Sequence, residues 1–162
     1  MNHLHIDSYP GPREALRPLF ELAEDSRSEL DSYLDLGRVL VATSGDGEVI
    51  GHIQLVDTGE AGKIELKNMA VELAHQRRGV GRALVSTALK QQGASTTAVV
   101  VATAAADIGN LRFYQRLGFR MRSIERDAFT SATGYPRGIR IDGIELRDRV
   151  WLDLTLPTAS TS

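Results

Sequence analysis

Cysteine is missing altogether from this 162-residue chain, and its absence excludes disulfides, thiolate metal sites and an acyl-cysteine intermediate. Any acyl transfer must then be direct or use another nucleophile. Long apolar runs are missing too: nothing spans a bilayer, and Met1 to Pro10, with two histidines and an aspartate, lacks the apolar core of a signal peptide. A cytoplasmic protein with no membrane partner is the expectation. An excess of either charge sign is also absent, and a net charge of -2 exerts no global attraction on nucleic acid. Aromatic residues make up 6% of the chain, and no base-stacking platform accompanies the basic residues. What is present, 42% hydrophobic and 25% charged residues, suits a single globular domain over 1–156 with a flexible tail at 157–162.

The basic residues concentrate in one place, Gln76-Arg77-Arg78-Gly79-Val80-Gly81, followed by Arg82 and Ala83. Upstream lies the strand-like run Lys63 to Val71; downstream, Val80, Leu84, Val85, Ala88 and Leu89 have the spacing of one helical face. The glycines therefore sit at a strand-to-helix junction, where they allow a tight turn and bring bare amides to a ligand. Arg77, Arg78 and Arg82 crowd the positive end of the helix dipole, where cations are disfavoured unless an anion joins them. A tight turn with solvated arginines is the plain alternative. Two other phosphate loops do not fit. A P-loop needs Gly-Lys-Ser/Thr where Gly81-Arg82-Ala83 stands, and a dinucleotide fingerprint needs a third glycine where Leu84 stands.

Along the rest of the chain, His3 to Asp7 reads as a first strand; its two histidines have no third metal ligand nearby. Helices are expected after Pro12, through Leu16, Leu19, Phe20 and Ala23, and from Ser28 to Leu36, ended by Gly37. The acids Glu21, Glu24, Asp25, Glu29, Asp31 and Asp35 form either a solvated face or a rim attracting a cationic amine. Arg38 to Ala42 and Val49 to Val56 make a hairpin about Ser44-Gly45-Asp46-Gly47, with His52 packed or acting as a base. In Lys63 to Val71, alternation puts Glu65, Lys67 and Met69 on one face and Ile64, Leu66, Asn68 and Ala70 on the other. Glu65 is either a general base, direct or through water, or one half of a surface pair with Lys67. A helix over 79–92 and a buried strand, Thr96 to Thr103, complete a right-handed parallel crossover. Ile108 to Leu117 is helical and stopped by Gly118-Phe119; Asn110 and Tyr114 share a face there. Arg120 to Arg126 is a strand, Asp127 to Gly138 a loop, and Ile144 to Leu156 one long final strand interrupted by Asp148. No internal repeat is found.

The order of elements, the glycine loop and Asn110-Leu111-Arg112-Phe113-Tyr114-Gln115-Arg116-Leu117-Gly118-Phe119 together resemble the GNAT superfamily of acetyltransferases over nearly the whole chain. The resemblance implies an α/β fold, with a central mixed, mostly antiparallel sheet, a parallel central strand pair and flanking helices. It implies acetyl-coenzyme A as cosubstrate and no metal, with Gln76, Arg77, Arg78, Gly79, Val80, Gly81, Arg82 and Ala83 on the pyrophosphate. Backbone of Met69 and Val71 would pair with the pantetheine arm, and Asn110 would contact it. Tyr114 would protonate the departing thiolate, with Glu65 as base. The acceptor would be a primary amine of a small cationic molecule or of a protein, attacking directly in a ternary complex, with Glu29 and Asp148 as candidate contacts. A non-catalytic acyl-coenzyme A sensor is the alternative. Exposed strand edges leave a homodimer open.

Overall fold

The computed structural model describes residues 3–157; the expected tail beyond Pro157 lies outside them. The first half runs β1 (His5–Ser8), a 3-10 turn (Arg13–Leu16), α1 (Arg17–Ala23), α2 (Arg27–Tyr33), β2 (Arg38–Thr43), β3 (Val49–Asp57) and β4 (Lys63–Val71). The second half runs α3 (Val80–Lys90), β5 (Ala98–Ala104), α4 (Ile108–Arg116), β6 (Arg120–Glu125), the short pair β7 (Arg140–Ile141) and β8 (Ile144–Glu145), and β9 (Arg149–Thr155). Seven strands form one sheet in the order β1-β2-β3-β4-β5-β9-β6. Only β4 and β5 pair in parallel; the remaining neighbours are antiparallel, as the sequence implied. Among the described residues, no helix is long and apolar enough to cross a membrane.

Alternation along the strands supplies two cores. Leu40, Ile53, Leu66, Val99, Val101 and Leu152 point to one face, where Leu84 and Val85 of α3 and Leu111 and Tyr114 of α4 cover them. Val39 and Val41 point to the other, under Leu16, Leu19 and Phe20 and under Leu30, Tyr33 and Leu34. Each fully buried leucine contributes about 1.5–3 kcal/mol through removal from water, so both helix layers are held firmly. The helices also carry their own stops. Ser26 caps α2 by accepting the Glu29 amide at 3.2 Å, and the Arg13 guanidinium closes its far end on the Leu34, Leu36 and Gly37 carbonyls. Past α4, the Phe119 amide reaches the Tyr114 carbonyl and the Gly118 amide the Gln115 carbonyl, with Gly118 at φ 102°. This is the glycine stop with an aromatic clasp that Gly118-Phe119 signalled.

Two sequence expectations are corrected. The final strand is not continuous: β8 turns back on β7 through Asp142-Gly143, the chain leaves strand geometry at Leu146 to Asp148, and β9 starts afresh at Arg149. The break is held by the Asp148 carboxylate, which accepts the Asp127 amide at 2.9 Å, and by the Asp148 carbonyl, which accepts the Ala105 amide. In β4, the pairing steps from Gln54 opposite Asn68 to Leu55 opposite Leu66, so Lys67 is an extra residue in a β-bulge. The bulge reverses the alternation. Asn68 and Ala70 join Glu65 on the α1/α2 face, while Met69 and Val71 join Leu66 on the α3/α4 face.

Candidate active site

The bulge lies where the sheet opens. β4 and β5 pair from Lys63 with Ala98 to Leu66 with Val101, and there the pairing ends. Beyond it, Met69 to Val71 pair only with β3, and Ala102 to Ala104 only with β9. The two strands thus part as a fork and leave facing backbone donors and acceptors without a strand partner.

The glycine loop stands at the open end of that fork. Arg77 and Gly79 both take left-handed backbone angles, φ 62° and 82°. Gly79 is the N-cap of α3, with open space where a side chain would begin. Unlike α2 and α4, which Ser26 and Asp107 cap, α3 begins with no side-chain cap, so its leading amides at Val80, Gly81 and Arg82 face outward unpartnered. Arg77, Arg78 and Arg82 are exposed around them. The fit to a diphosphate is direct: donors, positive charge and uncluttered space coincide. Two members of the expected set act otherwise. The Ala83 amide already donates to the Gly79 carbonyl at 3.0 Å. The Gln76 side chain donates to the Val71 carbonyl at 2.9 Å, tying the loop to the end of β4.

Gly81 brings three elements together, because a Cβ there would lie 3.5 Å from the Phe113 ring of α4 and 3.9 Å from Met69 of β4. Next to Phe113, Tyr114 is buried in the α3/α4 core, edge-on to Phe113 and Phe119. Burial, with a smaller contribution from Asp107, pushes its phenol above the ordinary range, so it stays protonated at neutral pH. Asn110 takes part in anchoring, its side-chain amide donating to the Thr103 hydroxyl at 3.3 Å. Glu65 lies on the opposite face, one residue short of the fork, with Lys67 3.6 Å away. The surface pair of Glu65 with Lys67 expected from the sequence is therefore present.

The sequence missed a buried polar chain on the α1/α2 face. His52 is fully buried, stacked on Phe20 at 4.1 Å, and donates through Nε2 to Asn68 Oδ1 at 2.7 Å. Burial lowers its pKa to about 4, opposed by the Asn68 hydrogen bond, which rules against a base poised near neutrality. Asn68 donates to the Phe20 carbonyl and the Tyr33 hydroxyl; Tyr33 donates to Glu24, and Tyr135 donates to the same carboxylate at 2.6 Å. Burial first, and then Glu24, raise both phenols. Glu29, in the first turn of α2, lies near this cluster. Asp148 does not; it anchors the start of the 127–138 loop instead. Asn68, set by the expected alternation among Ile64, Leu66 and Ala70, was a local signal of the chain. Among the described residues, no group of three or more His, Cys, Asp or Glu is placed to hold a metal.

A fork beside a cationic amide cradle defines the class of coenzyme A-binding acyltransferases. Residues 35–121 match the sequence profile of the acetyltransferase (GNAT) domain. An uncharacterized N-acetyltransferase of Bacillus subtilis (strain 168), YvbK, is 34% identical over 159 residues, 95% of this chain and 99% of the relative. The crystal structure of a Bacillus subtilis acetyltransferase in complex with CoA matches with TM-score 0.85 and 31% identity, over 96% of this chain and 100% of that one. A GNAT family acetyltransferase from Elizabethkingia anophelis with acetyl-CoA bound gives 0.82 and 28%, over 96% and 98%. The chain belongs to the GNAT family and is an acetyl-CoA-dependent N-acetyltransferase.

Proposed function

We propose that the protein acetylates a primary amine by direct attack within a ternary complex, with the cosubstrate in the fork on the α3/α4 side and the amine arriving from the α1/α2 side. The observation that carries this reading is the division of proton-handling groups between the two faces: Glu65 on one, Tyr114 on the other, with the fork between them. When bound, acetyl-coenzyme A supplies an activated thioester carbonyl. The amides of Val80, Gly81 and Arg82, with Arg77 and Arg78, would hold its diphosphate, and the free backbone at Met69 and Val71 would align its arm. Glu65, directly or through water, takes the proton that the ammonium must lose before its nitrogen can attack. As the C–N bond forms and the C–S bond breaks, Tyr114 Oη gives its proton to the leaving sulfur, and the second proton that the acylated nitrogen must shed restores the phenol. The two proton transfers then need not share one group.

The test is thiol release from acetyl-CoA with a panel of amines, followed by a disulfide dye, to which a cysteine-free chain adds no background. Amine-dependent release that falls in Tyr114→Phe while acetyl-CoA affinity holds is the expected result. Silence across polyamines, aminoglycosides, amino acids and peptides, with cofactor binding intact, would instead support a sensor.

A further inference from the structure

The chain carries an ammonium of its own on the acceptor side of the fork. Lys67 is the surplus residue of the β4 bulge, so it has no cross-strand partner, whereas Leu66 and Asn68 on either side pair with Leu55 and Gln54. Its backbone is held there while its side chain is free of the ladder. Lys67 Nζ lies 3.6 Å from Glu65 Oε2 and 4.8 Å from the centre of the Tyr33 ring. A carboxylate on one side and an aromatic face on the other make a seat for a cation.

The seat is fixed and its occupant is not. Tyr33 is buried, and its hydroxyl is held twice, accepting from Asn68 Nδ2 at 2.9 Å and donating to Glu24 at 3.0 Å. Asn68 is held in turn by the Phe20 carbonyl and by His52. The ring therefore keeps its place whether or not a cation lies against it. Lys67 is held far less tightly. Its side chain and that of Glu65 are 33% and 19% exposed, and part-exposed pairs contribute little. Their separation of 3.6 Å is also too long for a charge-assisted hydrogen bond, which closes to about 2.7–2.9 Å. Lys63, by contrast, meets Glu60 at 2.7 Å.

Resting on the acetyltransferase reading above, in which Glu65 takes the acceptor's proton, we infer that Lys67 fills the acceptor's seat in the free protein and yields it to the substrate. An ammonium that gives its proton to Glu65, directly or through one water, must come beside that carboxylate, where a second cation repels it. Lys67 is thus a built-in competitor that weakens the binding of every acceptor. It also shows what the seat fits. The group now held there is a primary ammonium at the end of an unbranched methylene chain. The acceptor is therefore an alkyl amine of that kind, in preference to an amine whose neighbouring carbon bears a carboxylate, which Glu65 repels.

Lys63, Lys67 and Lys90 are the only lysines in the chain, so protein carrying carbon-13 at the lysine ε-carbon gives one resonance for each, and Lys67→Met identifies the one of interest. This signal does not depend on turnover. The CoA-bound protein is titrated with butylamine, with butanol and with alanine, and thiol release from acetyl-CoA is measured with each. We expect a saturable shift of the Lys67 resonance with butylamine, an at least tenfold weaker response to alanine and none to butanol, while Lys63 and Lys90 stay still. Lys67→Met should lower the butylamine KM severalfold and leave the acetyl-CoA KM alone, whereas Lys67→Arg, which keeps a cation in the seat, should not lower it. A Lys67 resonance indifferent to butylamine, whether or not thiol is released, would overturn the inference. So would an unchanged or raised butylamine KM in a folded Lys67→Met protein. An equal response to alanine would overturn the acceptor chemistry assigned to the seat. Displacement of Lys67 without thiol release would leave the seat standing and remove the acetyl-transfer reading instead.

Discussion

The two faces of one sheet are built by different rules. On the α3/α4 face, everything that shapes the cofactor side comes from consecutive elements between Met69 and Phe119, and each is declared locally: a glycine loop, an amphipathic helix, an asparagine and tyrosine on one helix, a glycine stop. On the α1/α2 face, the decisive contacts join residues far apart in the chain. Glu24 meets Tyr135 across 111 positions, and Asn68 meets Phe20 across 48. The difference is between a surface specified by short-range pattern and one specified by polar groups that meet across long stretches of the chain. Such groups are costly to leave unpaired, so the second kind holds its geometry tightly once complete.

Several measurements press on that contrast. The largest effect expected is on stability. The unfolded His52 imidazole takes a proton below about pH 6.5, whereas the folded one resists until about 4. Its contribution is complete above pH 6.5 and is lost as pH falls from 6.5 to 4, about 3 kcal/mol at about 1.4 kcal/mol per tenfold change in proton affinity. Urea unfolding of wild type and His52→Gln between pH 7 and 4.5 tests this; equal pH slopes would remove His52 from the account. Next comes Tyr114→Phe on the cofactor face, expected to lower kcat by about 10²-fold with the acetyl-CoA KM unchanged. A uniform loss in both parameters would mean that the phenol only supports the core. Arg78→Ala should raise the acetyl-CoA dissociation constant roughly tenfold, the worth of one charge-assisted hydrogen bond, without moving the amine KM. Smallest is Tyr33→Phe, which removes one link of the polar chain and should cost about 1 kcal/mol of stability, read in a denaturant midpoint. A change in acetyl-CoA affinity in that variant would show that the two faces are not independent.

How much of this was legible in the sequence follows the same division. The bounds Lys63–Val71 of β4 and the parallel crossover to β5 were visible, because apolar alternation and the glycines of the following loop are local signals. Lys67 was not visible as a bulge: nothing in Glu65-Leu66-Lys67-Asn68 marks the surplus residue, so the assumed alternation put Met69 on the wrong side. The even-numbered apolar positions from Ile144 to Leu156 suggested one strand, and Asp148, which breaks their series, was read as a bulge or a polar pocket within it; the backbone instead turns away there to meet Asp127 and Ala105. Glu24 was noticed only as one acid among six. Its two tyrosine partners lie in other elements, where no spacing rule reaches.

The surplus residue in β4 has a meaning for how such a sheet could have been made or unmade. Deleting Lys67 would leave every other side chain of the strand on its present side, because the bulge is the only irregularity in an otherwise alternating run. What would vanish is the kink, and with it the reason for β4 to turn away from β5 at Leu66 and Val101. A strand shortened by that one backbone unit could zip onward along its neighbour, gaining hydrogen bonds and losing the opening. The opening between these two strands thus hangs on an insertion and not on the identity of a side chain. Comparison of sequences position by position would score that change as a gap.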